Sequence, residues 1–140
     1  MDRLSLRGRL SEIAQVPTWI EHLALGYSIP GDVQSVINLC LEEVLSNVIR
    51  HGYGNDEGGA VVVNFTVPRD CFFLFVVEDD APHFNPLDAS ELPPLNSNDE
   101  ARIGGQGIRF LRRFASILEY EATPNGNRLS MGFSAKGPAT

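Results

Sequence analysis

With 140 residues and 18 acidic against 11 basic side chains, for a formal net charge of -7, the chain is sized for one domain with its own core. The acidic balance argues against direct binding to nucleic acid. The N-terminal MDRLSLRGRL lacks an apolar signal core and no apolar run approaches membrane-spanning length, so a cytoplasmic protein with no membrane contact is expected. The two cysteines, Cys40 and Cys71, lie in apolar runs outside any CxxC or Cys/His cluster and are expected to be unpaired, buried small hydrophobes.

Residues 4–10, LSLRGRL, alternate apolar and polar positions and read as a short strand, placed at a sheet edge by Gly8. Ser11 and Glu12 open a helical pattern carried by Ile13, Val16, Trp19, Ile20, Leu23 and Leu25 to an end at Gly26, with Pro17 as the residue least at home in it. SIPGD, residues 28–32, is the turn into a second and stronger helix, with Asp32 suited to its positive end.

That second helix, ending near Gly52, is the segment around which the chain is organised. Val33, Val36, Ile37, Cys40, Leu41, Val44, Leu45 and Val48 recur at three- and four-residue spacing and give one broad apolar face. Glu43, Asn47 and His51 stand four apart on another stripe, aligning a carboxylate, a carboxamide and an imidazole. A carboxamide oxygen can hold a hard cation without adding charge, and a carboxylate one turn away can take a proton. An ordinary solvated polar face has the same spacing.

Two strands follow, residues 60–67 and 71–79, close enough for a hairpin. CFFLFVV in the second is apolar almost throughout and reads as a central strand covered on both faces, ending in Glu78, Asp79 and Asp80. From Ala81 to Gly105 the periodicity is lost and Pro82, Pro86, Pro93 and Pro94 accumulate, the pattern of a functional lid. Gly104, Gly105 and Gly107 then lead into an amphipathic run with Ile108, Leu111 and Phe114 or Ala115 on one face, where backbone amides can approach a phosphate. Arg102, Arg109, Arg112 and Arg113 cluster here and suit a local anion site. The remainder reads as a hairpin turning at Asn125 and Gly126, then a frayed tail, KGPAT.

Three weak motifs in a fixed order make a stronger one. EVLSNVIRHGY (43–53), VVEDDAPHFNP (76–86) and IGGQGIRFLRR (103–113), with the closing GNRL (126–129), resemble the asparagine box and two glycine boxes of the gyrase, heat-shock chaperone, histidine kinase and mismatch-repair (GHKL) superfamily. The similarity is strongest to its anti-sigma factor serine/threonine kinase branch and covers nearly the whole chain.

The resemblance implies an α/β two-layer sandwich of the Bergerat ATP-binding type, a mixed, mostly antiparallel sheet with helices on one face. Residues 1–140 would form one ATPase domain, with an ATP lid at about 81–105. It implies ATP and Mg2+ as cofactors: Asn47 as the magnesium ligand, Glu43 as the base receiving a hydroxyl proton, and Asp79 as acceptor for the adenine amino group. Gly104, Gly105 and Gly107 would hold the phosphates and Arg102 the terminal one. His51 would touch nucleotide or bond a helix-end carbonyl. Ala81 stands where the family carries glycine beside the base, so its methyl would crowd adenine or require negative φ, and Asn85 replaces an aspartate.

The implied function is phosphorylation of an anti-anti-sigma (STAS-type) partner, with regulation of transcription by partner switching with a sigma factor. A homodimer through the N-terminal strand and first helix is part of that expectation. The alternatives are an ATP-dependent protein-binding module with little kinase activity and a stand-alone histidine-kinase-like ATPase domain.

Overall fold

A computed structural model describes residues 2–53, 59–87, 109 and 111–135. Strand β1 (Asp2–Arg7) leads through a 3-10 helix (Leu10–Gln15) into helix α1 (Val16–Tyr27) and helix α2 (Gly31–Gly52). The hairpin β2 (Ala60–Arg69) and β3 (Phe72–Asp79) follows, then the hairpin β4 (Ile117–Thr123) and β5 (Gly126–Ser134). The sheet order is β1-β2-β3-β5-β4 and all four pairings are antiparallel, with β1 at the edge as expected.

Several boundaries move for identifiable reasons. The first strand stops at Arg7 rather than residue 10 because the Arg9 N–H turns back to the Arg7 carbonyl at 2.8 Å and the 3-10 helix begins at Leu10. The first helix divides at Gln15, so that Pro17 falls in the opening turn of α1, where a missing N–H leaves no broken bond. α1 continues past Gly26 to Tyr27 and is closed by Ser28 at φ 57°, with the Ile29 N–H reaching back to the Ala24 carbonyl at 3.2 Å. In the last hairpin the turn is Pro124 and Asn125, since Thr123 already pairs with Gly126.

Inward-facing residues alternate along the strands and meet the helices in one core. Phe65, Phe75 and Phe133 form its aromatic centre, with Phe65 and Phe75 rings 4.9 Å apart and Phe75 and Phe133 rings 6.2 Å apart. α1 sets Trp19 edge-on to Phe75 and Tyr27 edge-on to Phe65, while Ile37, Leu41, Val44 and Leu45 of α2 are wholly buried. β3 is central, but among the described residues helices cover only one of its faces: Phe73, Phe75 and Val77 are buried beneath them, whereas on the other face Phe72 is buried at the strand start and Leu74 and Val76 are half-buried. Their cross-strand neighbours there are Thr66, Asn64, Gly132 and Ser130, too polar or too small to support a second layer.

The end of β3 is fixed by close backbone packing. Gly126 of β5 lies against the Asp79 carbonyl, and any Cβ at that position would overlap it. The strand that carries the acidic end therefore approaches its neighbour more closely than a side chain allows.

Candidate functional site

α2 carries the polar stripe on its way past the core. Asn47 is only 4% exposed, and its Nδ2 donates to Glu43 Oε2 at 3.0 Å. An ionised carboxylate accepts only, so this bond fixes the carboxamide with Nδ2 toward Glu43 and Oδ1 turned away. Burial pushes the Glu43 carboxyl above its usual range, opposed by the Asn47 bond and the Arg50 charge. His51 bonds no helix-end carbonyl among the described contacts; its ring stacks on Phe84, centroids 4.6 Å apart and planes 24° apart, holding the segment after β3 against the end of α2.

The acidic end of β3 meets α2 at Gly52. Ala81 is 4% exposed, and a Cβ at Gly52 would stand 2.7 Å from the Ala81 methyl, so that methyl fills the space glycine leaves. Ala81 keeps a negative φ. The neighbouring Asp80 carboxylate accepts from the Tyr53 hydroxyl and, at 3.2 Å, from the Ala60 N–H, while the Asp80 N–H donates to Tyr53 Oη at 3.1 Å. The Tyr53 bond holds the Asp80 carboxyl below its usual range, and burial with the Asp80 bond drives the Tyr53 phenol well above its own.

Asp79 is organised by a residue that sequence reasoning missed. Asn127, 5% exposed on β5, donates from Nδ2 to Asp79 Oδ1 at 2.8 Å, and the Ala81 N–H donates to that same oxygen at 2.9 Å. Burial raises the Asp79 carboxyl, and these two donors pull it back. Asn127 Nδ2 also reaches the Pro82 carbonyl at 3.1 Å and the Ala81 carbonyl at 3.3 Å, and its Oδ1 accepts the Phe84 N–H at 2.9 Å and the Tyr120 hydroxyl. The signal was present: residues 127, 129, 131 and 133 alternate inward along β5, and an asparagine in a core register must find partners.

Arg102, Gly104, Gly105 and Gly107 lie outside the described residues, as do Ile108 and most of the expected lid. Of the arginine cluster, Arg109, Arg112 and Arg113 are exposed on a helical segment, and Arg112 Nη2 donates to the Leu87 carbonyl at 2.9 Å, joining the two ends of that stretch. Leu111 is buried as expected, and of the two alternatives for the same face Ala115 packs against the core while Phe114 is 42% exposed. Cys71 is half-exposed rather than buried, because it turns the β2–β3 hairpin at φ 59°. Two surface cavities, about 320 Å³ beside Val33 and Phe114 and about 570 Å³ beside Trp19 and His22, are lined by neither the α2 stripe nor Asp79.

The α/β fold agrees with the comparisons to known proteins. The model of the histidine kinase-like ATPase domain matches residues 6–133. The chain belongs to that family. As a histidine kinase-like ATPase domain, it is 26% identical over 130 residues to the serine/threonine-protein kinase BtrW of Bordetella bronchiseptica, covering 93% of this chain and 91% of the relative. It is 27% identical over 120 residues to an anti-sigma F factor of Clostridium perfringens, covering 85% of this chain and 77% of that one. Over 88 residues it is 26% identical to an anti-sigma F factor of Shouchella clausii, spanning 60% of that protein. Among solved structures, the histidine kinase domain of the Erythrobacter litoralis blue-light activated histidine kinase superposes with a TM-score of 0.58 at 18% identity, over 91% of this chain and 61% of that one. The mycobacterial sensor histidine kinase MprB gives 0.51 at 14% identity, over 94% of this chain and 97% of that one; at such identities the likeness speaks for the fold. The ATPase domain is thus a kinase-like, ATP-binding one, and none of its described helices is long and apolar enough to cross a membrane.

Proposed function

We propose that this ATPase domain is a serine/threonine protein kinase of the anti-sigma factor type, which phosphorylates an anti-anti-sigma partner in the cytoplasm and so controls access to a sigma factor. The observation that carries the reading is the part-buried Asn47–Glu43 pair, 3.0 Å apart, which presents a neutral oxygen and a base of raised affinity for protons one helical turn apart. The relatives named as a serine/threonine-protein kinase and as anti-sigma F factors support it.

In this reading Asn47 Oδ1 would hold magnesium, because a neutral carboxamide oxygen suits a hard cation without adding charge. Bound magnesium supplies neutralisation of the phosphate charge. Asp79 accepts from the adenine amino group, and the glycines at 104, 105 and 107, with Arg102, take the phosphates. His51 and Ala81 act by packing against Phe84 and Gly52, at the edge of the base site. Glu43 takes the proton of the partner's hydroxyl as that oxygen bonds to the γ-phosphorus and the bond from γ-phosphorus to the bridging oxygen breaks, leaving ADP. Residues 1–140 then form one domain with its lid at about 81–105.

Calorimetric titration with ATP, with and without magnesium, tests the site on wild type, Asn47→Ala and Glu43→Ala, followed by transfer of labelled γ-phosphate to a purified anti-anti-sigma protein from the same genome. Magnesium-dependent binding lost in Asn47→Ala and kept in Glu43→Ala, with transfer lost in both, is the expected result. Absence of ATP binding in the wild type refutes the reading; binding without transfer to a serine or threonine reduces it to an ATP-dependent binding module.

A further inference from the structure

We infer that Asn127 is a positioning residue that sets the nucleobase preference of the site, by committing one oxygen of Asp79 to the protein so that the other alone faces the base. The inference rests on the nucleotide site proposed above and deepens it.

A carboxamide has two N–H donors and two acceptor lone pairs. Those of Asn127 are all engaged: Nδ2 with Asp79 Oδ1 and the carbonyls of Ala81 and Pro82, Oδ1 with the Phe84 N–H and the Tyr120 hydroxyl. Asn127 therefore offers a base nothing directly. Its effect passes through Asp79, whose Oδ1 is filled by Asn127 Nδ2 and the Ala81 N–H, leaving Oδ2 as the oxygen with no protein partner among the described residues. An ionised Oδ2 can only accept, which fits the exocyclic amine of adenine and opposes the carbonyl oxygen that guanine presents at the same place. The Phe84 N–H can only donate and Asp79 Oδ1 can only accept, so these two keep the carboxamide from turning over, and the Tyr120 hydroxyl adds a second donor to Oδ1.

The same bond sets the pH range of the preference. Donation to Asp79 Oδ1 favours its ionised form against the burial that opposes it, so losing Asn127 raises the pH at which Asp79 takes up a proton. A protonated Asp79 can donate, and donation suits guanine. The other titratable groups facing Asp79 are Asp80 beyond the strand end and the Tyr53 hydroxyl at the end of α2, and neither changes in the variants below. Glu78 and Arg128 pair with each other at 2.8 Å on the opposite face of the sheet.

The test is competition of ATP and GTP against a fluorescent ATP analogue in magnesium buffer from pH 5 to 8.5, on wild type, Asn127→Ala and Tyr120→Phe, with thermal melts alongside. The wild type is expected to favour ATP by about 100-fold or more, as a site does that leaves a buried polar group unpaired with the wrong ligand. Asn127→Ala should lose at least about tenfold of that preference, and the pH at which the remainder halves should rise. Tyr120→Phe, which preserves the packing, should move both quantities the same way by less, with little change in melting temperature. An Asn127→Ala protein that keeps the wild-type preference and pH profile overturns the inference; should that variant not fold, the Tyr120→Phe profile decides in the same way. A wild type that binds neither nucleotide overturns the proposed site and this inference with it, whereas a wild type that binds ATP beside unchanged variants overturns this inference alone.

Discussion

The contact between Gly52 and Ala81 can be tested by exchanging the two residues. Ala81→Gly removes one buried methyl, worth about 0.8 kcal/mol of transfer, and frees the unfolded backbone by a further 0.4–1 kcal/mol, so a loss of about 1–2 kcal/mol is expected. Gly52→Ala alone gains up to about 1 kcal/mol of helix propensity but sets its methyl 2.7 Å from that of Ala81, an overpacking that costs about 1–3 kcal/mol. The single variant should therefore be less stable than wild type. In the Ala81→Gly background the collision is gone, and the same substitution should stabilise by about 0.5–1 kcal/mol. Urea denaturation of the four proteins, at unchanged dependence on denaturant, gives the coupling, expected at about 1–3 kcal/mol with a change of sign between backgrounds. Additivity within about 0.5 kcal/mol would refute the claim that this methyl fills the space over Gly52.

Asp79→Asn should be more stable than wild type at pH 7. The folded carboxyl is raised by burial, so its contribution to stability is complete below its unfolded pKa of about 4 and is lost as the pH rises through the folded value. The advantage of the variant should vanish on acidification toward pH 4, and a variant less stable than wild type at pH 7 would contradict the assignment. ATP binding should nevertheless fall, because an amide that accepts from Asn127 must turn its own N–H groups toward the base. Titration of thiols in the native protein should count one fast cysteine and one slow: Cys71 is half-exposed, while Cys40 is buried and its thiol is pushed up to about 12 by burial and by the Glu43 charge. Equal rates for the two would show that α2 opens freely.

The parts legible in the sequence were those with a period. The apolar spacing of α2 and the four-residue interval of Glu43, Asn47 and His51 survive intact in the fold, as do both hairpins and the edge position of β1. CFFLFVV failed in a revealing way. An unbroken apolar run has no alternation from which to read sidedness, and only the polar neighbours Asn64 and Ser130 on adjacent strands decide that Val76 faces an open side. His51 was read from its helix alone, whereas its partner, Phe84, lies in a segment without periodicity. Tyr53 and Asn127 matter through bonds to Asp80 and Asp79 that span 27 and 48 residues, and no local pattern announces such pairings.

The order of the strands also bears on when the site comes into being during folding. Each hairpin closes over a short turn and is cheap to form, but β3 and β5 meet only when chain segments about fifty residues apart find register, the kind of distant pairing that slows folding. Asp79 and Asn127 face each other across that seam. The Asp79–Asn127 contact, proposed above as part of the base site, is therefore completed by the step that joins the two halves of the sheet, and with the hairpins apart its residues are present without its geometry. Nucleotide added during refolding should accordingly leave the joining rate nearly unchanged and slow only the reverse, acting as a latch on the finished sheet rather than a template for it.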